Sequence, residues 1–334
     1  KVGDTDIVCR VINGGVISDR KAINVPGVHL SLPFLSDVDR RDLEFAMKTG
    51  FDFFALSFVR CAEDVLEVRR LQKEHNNTSK LIAKIESQEG VENLDAIIDV
   101  ADGIMVARGD MGVEIPFEKV PVVQKDMISK CLKSGKFVIV ATQMLESMTH
   151  NPRPTRAEVN DVANAIFDQT SAVMLSGESA AGDYPVEAVK TMSRICHEIE
   201  KTTTTGKFEI TYNGSNLASS IACAACSIAS VINADAIIPV SLSGSTIRKV
   251  SGFRPNINII GCSTNERVCR ETSLMWGVTP VLITEQEDGE ALINEVINKC
   301  KTAGVIKSGN RVVIVAGFPL RIAGATNMIR VVDV

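Results

Sequence analysis

The sequence predicts an α/β protein in two parts: a series of parallel βα units, then a smaller α/β domain with its own sheet. Three observations predict it. Short, nearly continuous apolar runs alternate with stretches of helical periodicity, polar residues gather at the carboxyl end of each run, and a polar break interrupts the pattern over 201–216. The runs are FDFFALSF (51–58), KLIAKIE (80–86), DGIMVARGD (102–110), FVIVATQM (137–144) and SAVMLSG (171–177), and each leads into an amphipathic stretch. Strands of a parallel sheet read this way because both of their faces are covered.

Taken in order, residues 1–27 carry β-branched residues around an Asn13-Gly14-Gly15 turn, with no helical period, and are expected to form short strands of a β-rich module. Ser36, ahead of Asp37 and Asp39, is the expected N-cap of a helix over 37–49. Five βα units follow. KTTTTGKFEITYNGSN (201–216) marks a domain boundary. Beyond it come a helix over 217–232, a strand at 236–242, a helix from 245, a strand at 257–263, a helix over 265–276, a strand at 279–284, a helix over 288–303, and the strands RVVIVAG and MIRVVDV. The expected division is therefore 1–27, 28–205 and 206–334.

The chain has 334 residues, 45% of them hydrophobic, which excludes disorder. Lys plus Arg total 36 against 41 Asp plus Glu, a net −5, and aromatics are 4%. Those values exclude a basic nucleic-acid groove and a base-stacking platform, so no nucleic-acid partner is expected. No apolar run approaches the roughly 20 residues needed to span a bilayer, and KVGDTDIVCR has no leader composition, so a soluble chain with no membrane partner is expected. Nine scattered cysteines, an odd number, fit a reducing compartment. Cys223 and Cys226 form a CxxC in an Ala-rich amphipathic stretch without a second pair or a nearby His, and read as buried helix thiols rather than a metal site.

The chemistry is expected at the strands' carboxyl ends, where a (β/α)8 barrel or an open doubly wound sheet places it. Lys84 and Glu86, two apart in IAKIES, point to the same side of a strand, and Asp110 ends the next run. A lysine between two carboxylates suits a divalent cation and a phosphorylated substrate, with hard oxygens for the metal and a positive charge for phosphoryl oxygens. A structural ion pair of Lys84 with Glu86 or Asp110 fits the same residues. In ARGDMG, a Gly between Arg and Asp opens directly into a helix, so backbone N–H groups at Gly109 and Asp110 face a potential anion. Thr142, ending the following strand, offers a hydroxyl as proton donor or ligand, or simply a bond to backbone. Arg153 and Arg156, in the Pro-rigidified segment NPRPTRAEVNDVANAI, fit a subunit contact as well as a substrate site.

The run IAKIESQEGVENLDAIIDVADGIMVARGDMGVEIPFEKV, continued by ATQMLESMTHNPRPTRAEVNDVANAI and MLSGESAAGDYPVEAV, strongly resembles the pyruvate kinases, and the resemblance extends from the NGG turn to TNMIRVV. It implies an α/β fold of a (β/α)8 TIM barrel, of which the last five strands are present here, with a C-terminal α/β effector domain and, over 1–27, a remnant of the β-rich lid. By this resemblance Lys84 stabilises the transferred phosphoryl group, and Glu86 and Asp110 hold Mg²⁺ or Mn²⁺. The backbone at Ala107, Arg108, Gly109 and Asp110 holds the substrate carboxylate, and Thr142 lies beside the enolate carbon that is protonated. The implied reaction moves the phosphoryl group of phosphoenolpyruvate to ADP, giving ATP and pyruvate. A homotetramer in the cytoplasm is implied as well.

Two departures from the family pattern stand out. The strands that carry a catalytic arginine and the ligands of the activating K⁺ have no counterpart in this sequence, nor has most of the lid. These 334 residues alone are therefore expected to be inactive. In the second domain the Ser/Thr-Gly loop of an effector site reads SLSGST, with Ser241, Ser243, Gly244, Ser245 and Thr246 as its residues. Leu292 stands where an effector-binding arginine is expected, and the last loop, FPLRIAGA, lacks the usual tryptophan and Gly-rich pattern. The expectation is insensitivity to fructose 1,6-bisphosphate or a response to a sugar monophosphate, against the alternative that SLSGST is an ordinary βα turn. Two other functions fit parts of the sequence: a metal-dependent barrel lyase or aldolase acting on pyruvate, and a non-catalytic regulatory fragment.

Overall fold

The computed structural model describes residues 2–19, 23–28, 31–203, 214, 216–320, 322 and 325–334. Helix α1 (Asp37–Thr49) opens as its sequence predicts, with a capping box in which Ser36 Oγ accepts from Asp39 N and Asp39 accepts from Ser36 N. It leads to one parallel sheet whose strands pair in chain order: β1 (Phe53–Leu56), β2 (Lys80–Ile85), β3 (Gly103–Ala107), β4 (Phe137–Ala141) and β5 (Ala172–Val173). The connections carry α2 (Ala62–Glu74), α3 (Gln88–Glu92), α4 (Leu94–Val100), α5 (Arg108–Glu114), α6 (Val120–Lys133) and α7 (Arg156–Phe167), and α8 (Gly177–Ala180) and α9 (Pro185–Thr203) follow β5.

Alternation along the strands sorts the residues into two cores. Leu81, Ala83, Ile85, Ile104, Val106, Val138 and Val140 face the helices and pack with Val65 and Val68 of α2, Ile97 of α4 and Met127 of α6. Ile82, Met105 and Ile139 face the other way, where Phe53 and Phe137 meet edge to face at 5.9 Å. Lys84 shares that second face with Ile82, so the alternation that buries Ile82 also sets the lysine on the sheet's inner side.

The second domain is a sheet of β6 (Ala236–Pro239), β7 (Asn258–Ser263), β8 (Val278–Leu282), β9 (Arg311–Gly317) and β10 (Thr326–Asp333) in the order β10-β9-β6-β7-β8, parallel except for β10. Its helices are α10 (Leu217–Val231), α11 (Ser245–Gly252), α12 (Glu266–Thr272) and α13 (Gly289–Thr302). Val312 and Ile314 pack on the α13 side with Val296 and Cys300, whereas Val313 and Val315 pack on the α10 side with Ala225 and Cys226. Cys226 is thus a core thiol, pushed up to about 12 by burial, and Cys223 is partly exposed beside it on the same helix.

The second domain docks on the amino ends of the first sheet's strands. Arg270 Nε bonds Asp52 Oδ2 at 2.8 Å, Lys80 Nζ lies 3.6 Å from Glu271, Arg267 donates to Ser79 Oγ at 3.2 Å, and Arg254 donates to Ser171 Oγ at 3.0 Å. Leu274 adds an apolar contact to the inner-face core. The carboxyl ends lie on the opposite side of that sheet.

The structure corrects several expectations. Among the described residues of 1–27 there is one isolated antiparallel bridge, Val2 to Ile7, and no strand; the side chains there are exposed, so no core fixes a ladder. Lys1 and residues 20–22 lie outside the described residues, as does most of the boundary segment 201–216. The run at 171–177 gives only the two-residue β5, and the stretch after β2 splits into α3 and α4 at Asn93. Asp110 stands in the first turn of α5 rather than at a strand end, because β3 stops at Ala107 and the helix starts at once.

Gly103 shows how closely the inner face is packed: a Cβ there would fall 2.2 Å from the Phe137 ring, which Phe53 already confines. Gly103→Ala should cost about 1–3 kcal/mol, read as a lower urea midpoint at unchanged slope.

Candidate functional site

Glu86 follows the last residue of β2 and is 1% exposed. Its Oε1 lies 2.9 Å from Lys84 Nζ, and its Oε2 accepts the backbone N–H of Phe58 at 2.6 Å. Phe58 stands at φ 53°, the left-handed region, where a bulky side chain is strained, and the turn it makes aims that N–H at the carboxylate. Lys84 Nζ also donates to Ser57 Oγ at 2.9 Å. The structural ion pair that the sequence left open is therefore present. It leaves one ammonium proton without an acceptor among the described residues, and each carboxylate oxygen keeps a second lone pair.

Next along the sheet, Ala107 closes β3, buried, and Arg108, Gly109 and Asp110 form the first turn of α5. N–H groups in a helix's first turn have no partner within the helix. That of Gly109 is nevertheless engaged, donating to Thr142 Oγ1 at 2.8 Å, and the Thr142 hydroxyl donates in turn to Ala141 O at 2.6 Å. Of the anion-facing groups expected at Gly109 and Asp110, the one on Gly109 is thus occupied in this state, and the Thr142 proton is directed to backbone. The Asp110 side chain is half-buried, with no partner among the described residues. Among those residues no group of three His, Cys, Asp or Glu side chains could hold a metal. Glu86 and Asp110 remain as two hard carboxylates, a set that suits Mg²⁺ when substrate oxygens and water complete its shell.

Thr142 and Gln143 stand at φ 67° and 54°, a strained pair for non-Gly residues. Arg108 holds them. Its guanidinium donates to Ala141 O at 3.2 Å, Thr142 O at 2.6 Å and Asp161 Oδ1 of α7 at 2.7 Å. Two carboxylates hold the rest of the loop. Glu178 takes the N–H groups of Leu145 and Ser176, and Glu158 takes Ser147 N at 2.7 Å and Thr155 N at 2.7 Å. Burial pushes the Glu158 carboxyl up, but the hydrogen bonds from Ser147 and Thr155 outweigh it and hold the carboxyl below its usual value. Asp161, Glu158 and Glu178 were not singled out as site residues in the sequence. Their only signal there is position within VNDVANAI, PTRAEVND and SGES, where nothing says which backbone they meet. Arg153 and Arg156 make no side-chain contact with the site among the described residues.

In the second domain, Gly244 adopts φ 77° and caps α11. The SLSGST loop lines a cavity of about 70 Å³ through Ser241, Ser243 and Thr246, with Glu285, Leu292 and Leu320 opposite. Thr246 N donates to Ser241 Oγ at 3.4 Å, Thr246 Oγ1 bonds Thr326 Oγ1 at 2.7 Å, and Ser245 Oγ accepts from Lys249 at 2.8 Å. No Lys or Arg among the described residues lines this cavity. Arg321, Ala323 and Gly324 of the last loop lie outside them.

A lysine–carboxylate pair and a helix start at the carboxyl ends of parallel strands, with an appended α/β domain, place the chain among α/β proteins whose strand ends suit an anionic ligand. Comparison with known proteins gives the family: residues 1–189 match the pyruvate kinase barrel domain and residues 219–332 the pyruvate kinase alpha/beta domain, so the chain belongs to the pyruvate kinase family. It is 46% identical over 331 residues to the pyruvate kinase of Clostridium acetobutylicum, covering 98% of this chain and 70% of that protein. It is 45% identical over 342 residues to that of Clostridium perfringens, covering 99% of this chain and 71% of that protein. The pyruvate kinase of Staphylococcus aureus is 44% identical over 329 residues, covering 98% of this chain and 56% of that protein. The chain is a phosphotransferase by this kinship, and neither the lyase nor the regulatory-fragment reading is favoured.

The Arg108 guanidinium is 11% exposed and cannot be replaced by a point charge. Arg108→Lys should lower stability by about 2–4 kcal/mol, read by chemical denaturation, as Asp161 and the two strand-end carbonyls lose their donors.

Proposed function

We propose that the site transfers the phosphoryl group of phosphoenolpyruvate to ADP, with the buried Lys84–Glu86 pair as the observation that carries the reading. In this reading the P–O bond to the enolate oxygen breaks as a terminal phosphate oxygen of ADP bonds to phosphorus, and the enolpyruvate released takes a proton at carbon. Lys84, held by Ser57 and Glu86, directs its remaining ammonium proton to a phosphoryl oxygen and offsets the charge there. Glu86 and Asp110 are the residues that would hold Mg²⁺ or Mn²⁺, which when bound would neutralise phosphoryl charge and help align the substrate. Ala107 and the turn from Arg108 to Asp110 form the wall for the substrate carboxylate; the Arg108 and Asp110 N–H groups serve it directly, and that of Gly109 once Thr142 releases it. Thr142 lies beside the enolate carbon, and a proton reaches that carbon from it only when its hydroxyl turns from Ala141 O. No residue of this chain is assigned to K⁺.

The finer readings rest on the same kinship. The five parallel strands correspond to the later strands of an eight-stranded barrel, whose further partners would pair at the edges β1 and β5. The division 1–27, 28–205 and 206–334 follows the two sheets, with 1–27 as the lid side, and a cytoplasmic homotetramer is the assembly proposed. Among the described residues no helix is long and apolar enough to cross a membrane. Ser241, Ser243, Gly244, Ser245 and Thr246 are proposed to take one phosphate of a sugar-phosphate effector at the start of α11. Glu285 and Leu292 across the cavity argue against a second phosphate.

In a coupled pyruvate assay of the intact protein with Mg²⁺ and K⁺, Lys84→Met should lower kcat at least about 10²–10³-fold with unchanged circular dichroism, and EDTA should abolish turnover. Retained turnover in the variant would remove Lys84 from the role. A sugar monophosphate should activate where fructose 1,6-bisphosphate at micromolar levels does not; activation by the bisphosphate would overturn the effector reading.

A further inference from the structure

The second domain holds a pair of thiols that the proposed site does not use. Cys262, near the end of β7, and Cys300, in the last turn of α13, are 38 residues apart in sequence, and their Sγ atoms lie 3.7 Å apart. Both side chains are fully buried, in one core with Ile293, Val296 and Ile314. No other two cysteine thiols hydrogen-bond to each other among the described residues.

Packing alone accounts for a single buried cysteine, since a free thiol behaves as a small hydrophobe. Three features set this pair apart. The sulfurs sit on a strand and a helix already packed together, so a bond of about 2 Å is reached by a shift of under about 2 Å along the line between them. With Cys262 as donor, the hydrogen bond between them holds the Cys300 thiol below its usual range against the effect of burial, and the same bond and burial raise Cys262. Cys131 and Cys226, buried without such a donor, are both pushed up to about 12 by burial. Finally, Cys300 stands in the closing turn of its helix, where its carbonyl accepts Val305 N at 3.1 Å and Ile306 N at 3.4 Å. A helix end opens locally at lower cost than a central strand, so Cys300 is the thiol that a small oxidant meets first.

We propose that Cys262 and Cys300 are a redox pair, which a peroxide converts to a reversible disulfide that locks α13 onto β7. The Cys300 sulfur attacks one peroxide oxygen, the O–O bond breaks, and the departing oxygen leaves as water, so Cys300 becomes a sulfenic acid. The Cys262 sulfur then attacks the Cys300 sulfur and displaces the hydroxyl, which takes the Cys262 proton and leaves as a second water. Two thiols are oxidised to one disulfide, and one peroxide is reduced to two waters. A dithiol reductant reverses the bond by exchange.

The test treats the intact protein with hydrogen peroxide, alkylates the remaining thiols after denaturation, and maps the peptides by mass spectrometry. Cys262 and Cys300 should appear joined in one peptide pair that is lighter by two hydrogens, and dithiothreitol should restore both thiols. The oxidised protein should show a Tm about 4–8 °C higher than the reduced one, because the link spans 38 residues of the unfolded second domain. Cys300→Ser should remove both the joined peptide and the Tm difference. Recovery of Cys262 and Cys300 as alkylated thiols under peroxide that oxidises the exposed Cys9 overturns the proposal. So does Cys300 found as a sulfinic acid without the link, or a Tm that does not move once the link has formed. If Cys300→Ser fails to fold, the peptide map and Tm of the parent protein decide alone.

Discussion

Burying Glu86 is the constraint around which the carboxyl end of the first sheet is organised. A carboxylate taken out of water loses several kcal/mol of hydration, and only close opposite charge and well-placed donors offset that loss. Here the lysine two residues back on the same strand supplies the charge, and Phe58 N supplies the donor from the neighbouring strand's end. The second bond requires Phe58 to leave the strand in a left-handed turn. The strain at Phe58 and the burial of Glu86 are therefore one arrangement: relaxing the turn would orphan a carboxylate oxygen, and removing the carboxylate would leave the turn unsupported.

The same logic recurs one strand over, with the signs reversed. A largely buried guanidinium, Arg108, takes Ala141 O and Thr142 O as acceptors and Asp161 as counter-charge. Thr142 and Gln143 occupy backbone conformations that neither residue favours, and they persist because Arg108, Glu158 and Glu178 fix the loop from three sides. The hydroxyl that faces the proposed substrate is consequently placed by Gly109 of α5 and by Ala141 at the end of β4, on a turn that α7 and α8 support. It sits between Gly109 N and Ala141 O as a bridge, so proton transfer from it needs a rotation rather than a displacement of the chain.

Much of this was legible in the sequence, unevenly and for physical reasons. Hydrophobic period gave the five strands, α1 and the alternation within the second domain, because a strand buried on both faces and a capped amphipathic helix leave local signatures. The spacing of Lys84 and Glu86 placed them together, since side chains two apart on a strand share a side. The partners that complete the site were not legible: Asp161 is 53 residues from Arg108, and Glu178 is 33 from Leu145. Nor did local sequence show that the β-branched residues of 1–27 would stay exposed, since β-propensity expresses itself only where a neighbouring strand or core receives it. The motif context at ARGDMG correctly gave a helix start, but not that Thr142 occupies one of its N–H groups.

The two ends of the first sheet therefore do different work, and the strands connect them. At the amino ends, Asp52, Lys80 and Ser171 meet the basic and acidic residues of the second domain. At the carboxyl ends, charges are buried around Glu86 and Arg108. Strand β4 joins both: Ser171 Oγ, which receives Arg254, also accepts Val138 N, while Ala141 and Thr142 at its other end meet Arg108. Val138, Val140 and Ala141 are fully buried, so a shift of β4 at its foot cannot be absorbed by loose packing on the way. The acceptor of Arg254 and the strained turn at Thr142 therefore lie at the two ends of one buried strand of five residues.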